Sequence, residues 1–279
     1  MEIGLKLMEI ANKPKHTLTN LDLSIQISLN GLSFCVLHKP TNTITFLKHI
    51  NTDKKVTPFK ILDLLKHAFV SETMLQNTFN NVTVVHVNEL STFVPKELFN
   101  EELLADYLKF NAKILKSDYI TFDTLSNNNS VNVYVPFVNI NNYLYERFGE
   151  FSYKHVSTVL VEKLLEAPTE KQPKLYIHVS KFHYEIVIIK NGQLLFYNTF
   201  EYNTQEDFIY YILFTIEQLN LNPESVETIL LGNIVKDDTY YNILYKYIRH
   251  VSFGSKQHLY SFKEQPDLDY SDFTLIHSL

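Results

Sequence analysis

Hydrophobic and polar residues alternate in two separate stretches of this chain, residues 21–50 and 171–200. Alternation of this kind indicates a strand with one buried face, because successive side chains of a strand point to opposite sides. Each stretch contains three strand-like runs separated by short turns, and residues with helical spacing follow. The first run shows the pattern most clearly, with apolar side chains at Leu21, Leu23, Ile25, Ile27 and Leu29.

The two stretches predict two copies of one unit, a three-strand meander followed by a helix. A duplicated unit in turn predicts two lobes with a cleft between them. Asn30-Gly31, between the first two strands, favours a type I′ hairpin turn, because both residues tolerate positive φ. Matching apolar positions of the two copies lie 150 residues apart: Phe34 and Tyr184, Val36 and Ile186, and Phe46 and Phe196.

Helix and strand signals continue through both halves. Thr57-Pro58 combines a hydroxyl cap with proline at the first helical position, and Thr204 precedes two acidic residues in the first turn of its helix. Each half therefore predicts an α/β lobe with mixed strand directions. Further helices are expected over residues 97–111, 140–148, 156–165 and 271–278 and after Asp238, and further strands over residues 82–87, 119–124, 131–135, 151–154, 226–231 and 250–253.

Two prolines mark the boundary between the lobes. Pro168 and Pro173 end the preceding helix and favour an extended linker. The predicted parts are a first lobe over residues 1–167, with a loosely ordered tail at 1–20 and an insertion near 88–130, and a second lobe over residues 174–279.

Composition narrows the classes of function. The chain has 279 residues, of which 45% are hydrophobic, enough for two well-packed lobes. Its net charge of −6 disfavours nucleic-acid binding, since a protein that neutralises several phosphates is usually basic. The one cysteine, Cys35, excludes an intrachain disulfide and is expected to be a buried apolar residue. Since no run of about 20 apolar residues occurs, we expect a cytoplasmic protein without a membrane segment.

Three segments carry a resemblance to a known family: L-S-I-Q-I-S-L-N-G-L-S-F, V-P-K-E-L-F-N-E-E-L-L-A-D-Y-L-K-F-N and I-L-Y-K-Y-I. They resemble an uncharacterised bacterial family described as having an actin-like ATPase fold, and the resemblance covers nearly the whole chain. It implies a two-lobed α/β fold of the duplicated ribonuclease H-like type, with mixed sheets flanked by helices. The family carries no established activity.

Nucleotide hydrolysis in the actin-like superfamily uses an Asp-x-Gly-Thr/Ser turn in each lobe. The glycine lets backbone N–H groups approach phosphate, and the aspartate acts on Mg²⁺ through water. In the first lobe Gly31 matches the glycine, but the aspartate position falls on Leu29, or on Asn30 after a one-residue shift. In the second lobe Lys181 replaces the glycine, and the aspartate position falls on Val179, or on His178 after a one-residue shift. The resemblance therefore implies a degenerate nucleotide site.

Any binding capacity that remains in the cleft is expected in the two turns and in Gly232-Asn233, which stands where the superfamily has an adenine-binding Gly-Gly. An ordinary hairpin turn and a solvated lysine already explain the same turn residues. We nominate no catalytic or metal-binding residue. His178 and His183 would lie on opposite faces of a strand that continues unbroken between them, and we expect surface or hydrogen-bonded histidines. The candidate residues are Asn30, Gly31, Ser33, Ser180, Lys181, Gly232 and Asn233.

Two functions from different classes remain open. The first is a non-catalytic interaction or scaffold module that needs no cofactor and binds a partner protein or a second copy of the chain. Tyrosines of residues 240–270 that lie outside the core would supply the contact surface. The alternative is a nucleotide-binding ATPase or switch that takes ATP with magnesium in the cleft between the lobes.

Overall fold

Three sheets organise the protein. The computed structural model describes residues 20–126, 128–254, 259–266, 268 and 270–279. Within these residues two larger sheets form the centres of two lobes, and a smaller sheet is inserted in the first lobe. The predicted mixed α/β architecture is confirmed. The tail predicted at residues 1–20 falls, apart from Asn20, outside the described residues.

The first lobe begins with the predicted meander of strands β1 (Leu21–Ser28), β2 (Gly31–His38) and β3 (Thr43–Asn51). Helix α1 (Pro58–Ser71) and strand β4 (Asn81–Val87) follow, and β4 runs parallel to β1. The predicted cap of α1 is present, because the Thr57 side chain accepts a hydrogen bond from the backbone N–H of Lys60. The apolar faces of these elements form the first core.

The inserted sheet comprises β5 (Ser91–Pro95), β6 (Thr121–Thr124) and β7 (Ser130–Tyr134), with β7 in the middle. Two single 3₁₀ turns and helix α2 (Leu104–Lys109) connect β5 to β6. The helix predicted over residues 97–111 is therefore shorter than expected. Asn100 accounts for the difference, because it is extended and its side chain caps the second turn through the backbone N–H of Glu102.

Helix α3 (Val138–Phe148) and strand β8 (Ser152–His155) return the chain to the first lobe, where β8 pairs with β4. Helix α4 (Val156–Leu165) then contacts both lobes. Val156 and Val159 pack against the first sheet, whereas Leu160 and Leu164 pack against strands of the second lobe. This helix is the main apolar connection between the lobes.

The second lobe repeats the arrangement with β9 (Lys174–Val179), β10 (His183–Lys190), β11 (Gln193–Glu201), α5 (Gln205–Gln218), β12 (Glu227–Gly232), α6 (Thr239–Tyr247) and β13 (His250–Phe253). Its strand order is β11-β10-β9-β12-β13. Thr204 and Asp207 form a reciprocal capping box at the start of α5, as the sequence predicts.

The end of the chain returns to the first lobe. Strand β14 (Ser261–Phe262) pairs with β3, which gives the first sheet the order β14-β3-β2-β1-β4-β8. Helix α7 (Phe273–Ile276) packs its Leu275 against Cys35 of β2. The predicted second lobe over residues 174–279 therefore differs from the structure, whose second sheet ends with β13. The reason is long-range pairing with the open edge of β3, for which the sequence carries no local signal.

The two meanders match with a small shift that the sequence comparison missed. Each contains a bulge, at Thr45 of β3 opposite Val36 and Leu37, and at Leu195 of β11 opposite Ile188 and Ile189. Val36 pairs with Phe46, and Ile188 pairs with Phe196. The structural counterpart of Val36 is therefore Ile188, two positions beyond Ile186. A two-residue shift keeps every side chain on the same face of the strand, so alternation alone does not reveal it.

The two Asn-Gly pairs adopt different turns. Ser28 pairs with Gly31, so Leu29 and Asn30 occupy the centre of the first hairpin, and neither has positive φ. The type I′ turn predicted at Asn30-Gly31 is therefore wrong. The second pair, Asn191-Gly192, joins β10 to β11 with both residues at positive φ, as a type I′ turn requires.

Candidate functional site

Lys181 connects the turns of the two lobes. Its Nζ, in the β9–β10 turn, donates to the backbone carbonyl of Thr52 at 2.8 Å. The backbone N–H of Thr52 donates in turn to the carbonyl of Asn30 at 2.9 Å. Next to this contact, Lys55 forms an ion pair with Glu201 of the second lobe. The structure thus brings two predicted site residues, Asn30 and Lys181, together through the loop that follows β3.

The first turn is stabilised by its own side chains. The Ser28 hydroxyl accepts a hydrogen bond from the backbone N–H of Asn30 at 3.0 Å. Gly31 has φ +151°, and a Cβ at this position would lie 2.2 Å from the carbonyl oxygen of Ile50. Close contact with β3 therefore explains the glycine without any bound phosphate.

Ser33 contacts a group that the sequence did not single out. Its hydroxyl lies 2.9 Å from Nδ1 of His49, and Nε2 of His49 lies 3.3 Å from Oδ1 of Asp272. The hydrogen bond that His49 donates to Asp272 raises the pKa of His49, although burial acts in the opposite direction. These three side chains attach the C-terminal segment to β2 and β3.

The second turn meets the loop after β12. The backbone N–H of Ser180 donates to the carbonyl of His183, and the Tyr202 hydroxyl donates to the carbonyl of Ser180 at 2.7 Å. The backbone N–H of Asn233 donates to the carbonyl of Val179 at 2.7 Å. Ser180 and Asn233 therefore lie on either side of Val179, as neighbouring parts of one sheet end.

Gly232 is required by close packing. Its φ is +80°, and an added Cβ would lie 2.2 Å from the carbonyl oxygen of Val179. Its backbone N–H donates to the carbonyl of Tyr270 at 2.9 Å. The segment before α7 thus closes against the loop that we expected to face adenine.

The two-residue shift between the meanders changes which residues of the two hairpin turns correspond to each other. Applied to the hairpins, it aligns Gly31 with His183, the first residue of β10, and Leu29 with Lys181. The proposed replacement of the glycine by Lys181 is therefore wrong. Lys181 lies at the tip of its turn, where a long side chain can reach the other lobe.

A buried polar network lies at the start of α4, and the sequence analysis did not identify it. The carboxylate of Asp123 accepts hydrogen bonds from the Thr158 hydroxyl at 2.7 Å, the backbone N–H of His155 at 3.0 Å and the Tyr134 hydroxyl at 3.0 Å. Burial raises the pKa of Asp123 although all three bonds lower it. The network joins β6 and β7 to α4, so it fixes the inserted sheet to the connecting helix.

Two neighbouring histidines are buried in neutral form. His86 accepts from the backbone N–H of Phe137 and lies 3.0 Å from the amide oxygen of Asn141. Burial lowers the pKa of His86 to about 4 and that of His155 to about 3. The side chains that make these contacts come from β4, β8 and α3. They have no regular spacing in the sequence, so no motif could have predicted the contacts.

The histidines at the second turn lie on different strands. His178 of β9 pairs with Glu185 of β10, and its Nδ1 lies 2.8 Å from the carboxylate. His183 Nε2 lies 3.3 Å from the other carboxylate oxygen. The strand does not continue unbroken between the two histidines, because the β9–β10 turn separates them. Burial raises the pKa of Glu185, but the histidines outweigh it and hold that pKa well below its usual range.

Two other kinds of site are absent from the described part of the chain. No three His, Cys, Asp or Glu side chains there form a group that could hold a metal ion. None of the helices described has both the length and the hydrophobicity needed to cross a membrane.

The sequence matches a family model over residues 11–251, described as a protein of unknown function (DUF3822), and the chain belongs to this family. No curated protein matches it. A Bacteroides thetaiotaomicron protein described as having an actin-like ATPase fold and unknown function is 27% identical, with a TM-score of 0.76. That match covers 85% of this chain and 91% of the other.

Two further solved structures share the fold at low identity. One is the PilM–PilN type IV pilus biogenesis complex, at 11% identity and a TM-score of 0.58, covering 92% of this chain and 97% of the matched chain. The other is the ethanolamine utilization protein EutJ from Carboxydothermus hydrogenoformans, at 6% identity and a TM-score of 0.51, covering 92% and 88%. The chain therefore has the actin-like ATPase fold that its sequence indicates.

Proposed function

We propose that this DUF3822 protein is a non-catalytic member of the actin-like fold that works in the cytoplasm as an interaction or scaffold module. The partner is another protein or a second copy of the chain, and no cofactor is needed. One observation carries the proposal: the backbone N–H groups at the candidate phosphate and adenine positions already donate inside the protein.

Four amides make up this observation. Those of Asn30, Ser180, Gly232 and Asn233 donate to Ser28, His183, Tyr270 and Val179, respectively. A phosphate site formed by a turn needs such amides to be directed at the ligand. Gly232 is buried, and a buried amide that loses its partner costs about 1–3 kcal/mol, so redirecting its N–H to a ligand would require compensating contacts.

Exposed aromatic side chains support a role in protein contact. On α5, Tyr210 is 60% exposed and Phe214 is 47% exposed, and their rings stack at 6.2 Å. On α6, Tyr245 and Tyr247 are exposed, whereas Tyr241 is buried. Aromatic residues are enriched in the centres of protein interfaces, so these two helices offer suitable contact surfaces. The PilM–PilN complex provides a precedent for a protein assembly on this fold.

Thermal unfolding with ATP, ADP or GTP and Mg²⁺ tests the absence of nucleotide binding. A ligand at about one hundred times its Kd stabilises the folded state by about 2.7 kcal/mol, which raises the Tm of a chain of this size by about 5–10 °C. We expect no shift. A shift of this size that is lost in Lys181→Met and kept in Lys171→Met would overturn the proposal and favour the nucleotide-binding alternative.

Affinity purification tests the interaction role. The tagged full chain, isolated from its own cells, should recover the same partner in independent preparations, or sedimentation should show self-association. A chain that is monomeric at every concentration and recovers no reproducible partner would contradict the role. Cell fractionation, with recovery in the cytoplasmic fraction, tests the proposed compartment.

A further inference from the structure

A groove separates the inserted sheet from the second lobe. Its volume is about 420 Å³, and β5 lines one side while β11 lines the other. Each of these strands is at the edge of its sheet among the described residues. An edge strand has backbone N–H and C=O groups on one side that its own sheet leaves unpaired. The groove is therefore bordered by two strand edges from different lobes.

The groove is lined by uncharged side chains. Its described lining includes Thr92, Phe93, Asn129 and Asn198, and contains no Asp, Glu, Lys, Arg or His. A charged side chain that entered would lose hydration without meeting an opposite charge. Amide, hydroxyl and apolar groups suit a neutral polypeptide, so the lining selects against charged segments.

One buried polar atom at the groove has no partner. Ser130, at the start of β7, is 8% exposed, lines the groove, and its hydroxyl makes no hydrogen bond with any described residue. Most buried polar atoms in folded proteins are satisfied. The Ser130 hydroxyl is therefore an unsatisfied polar group behind the wall of the groove.

The floor of the groove is formed by rings from both sides. Phe93 of β5 and Tyr197 of β11 contact edge to face, with centroids 4.9 Å apart. Leu195, which also lines the groove, is 49% exposed. The lining thus combines an apolar floor with hydrogen-bonding walls, which is typical of grooves that bind extended peptides.

We propose that this groove binds an extended, uncharged segment of a partner protein, which adds to the edge of β11 as a further strand. The inference rests on the proposed interaction role and assigns it a location. Strand β11 is the better template, because β5 is short and ends in Pro95, which has no N–H to donate. The part of β11 that lines the groove spans residues 194–198. A strand paired with it would have about five residues.

A displayed library of random linear peptides, selected against the full-length protein, tests the inference. We expect enrichment of peptides whose central residues lack Asp, Glu, Lys and Arg. In their presence, hydrogen exchange should slow at backbone amides of residues 193–201. Selection that yields no binding peptide, or only peptides with charged centres, would overturn the proposal.

Two matched variants locate the binding. Leu195→Lys places a charge in the groove, and Leu98→Lys introduces the same charge at a residue that is 70% exposed and outside the lining. Leu195→Lys should weaken binding of the selected peptides about tenfold or more, and Leu98→Lys should leave it unchanged. Equal affinity of the peptides for both variants, or slowed hydrogen exchange at another surface, would show that the peptides do not bind in the groove. The proposed interaction role would then still stand. A nucleotide-dependent rise in Tm would instead contradict the role and leave the peptide result as it stands.

Discussion

The Nζ of Lys181 lies 2.8 Å from the backbone carbonyl of Thr52, and this hydrogen bond joins the β9–β10 turn to the loop after β3 across the lobe boundary. Lys181 itself is exposed to solvent. Hydrogen bonds and ion pairs at exposed sites contribute little to stability, about 0–1 kcal/mol. The contact therefore orients the lobes more than it stabilises either one.

Replacing Lys181 with methionine tests this interpretation. Lys181→Met should lower the free energy of unfolding by at most about 1 kcal/mol and accelerate hydrogen exchange in residues 52–56. Lys171→Met, at an exposed lysine of the linker, serves as the control and should change neither quantity. A loss of stability well above this value, or equal exchange in both variants, would contradict the assigned role.

Substitutions at Gly149 and Gly232 distinguish the cost of backbone strain from the cost of a steric clash. Gly149 and Gly232 have similar positive φ, +75° and +80°, but a Cβ would meet no atom within 4 Å at Gly149 and a carbonyl oxygen at 2.2 Å at Gly232. Gly149→Ala should therefore cost about 1–3 kcal/mol from backbone strain alone, and Gly232→Ala clearly more, because the clash adds to the strain. Chemical denaturation measures both. Equal costs would show that the loop after β12 moves away from Val179.

Buried neutral His86 predicts a loss of stability in acid. Its folded-state pKa of about 4 lies below the ordinary value of 6.5. Between these values the unfolded chain binds more protons than the folded one, so the free energy of unfolding falls as the pH drops from 6.5 towards 4. The contribution of His86 is on the order of 3 kcal/mol.

Substitution identifies the group responsible. His86→Gln should reduce the slope of stability against pH in this range, measured by urea denaturation at several pH values. His67→Gln, on the exposed side of α1, should keep the original slope. An unchanged slope in His86→Gln would show that His86 does not control the acid response.

The single cysteine reports on the C-terminal segment. Cys35 is fully buried beneath Leu275, and burial strongly raises the pKa of its thiol. The native protein should therefore react very slowly with a thiol reagent. Leu275→Ala removes buried contacts at a cost of about 2–5 kcal/mol and should increase the labelling rate, whereas Leu259→Ala, at a partly exposed leucine, should not. Equal labelling rates for the two variants would show that elements other than α7 shield Cys35 from the reagent.

Local signals in the sequence predicted much of the fold. The alternation from Leu21 to Leu29 became β1, and the caps at Thr57 and Thr204 begin α1 and α5 with the expected hydrogen bonds. Each of these signals depends on residues within one or two turns of the chain. Such short-range interactions are visible in the sequence alone.

Long-range contacts set the limits of prediction. The sequence nominated Ser33 but not its contact with His49, nor the further contact with Asp272, because those partners come from distant segments. Asn30 and Lys181 were both candidates, yet their connection through Thr52 depends on how the lobes are placed. The hairpin shift escaped notice because a two-residue slip preserves the alternation of apolar positions.

The pairing of β14 with β3 has a consequence for biosynthesis. The first sheet receives its outermost strand from Ser261 and Phe262, and α7 covers it only afterwards. On the ribosome, all strands of the second sheet have emerged before this strand appears. The half encoded first is therefore the half completed last, in contrast to the usual order in which N-terminal domains finish folding before later ones are translated.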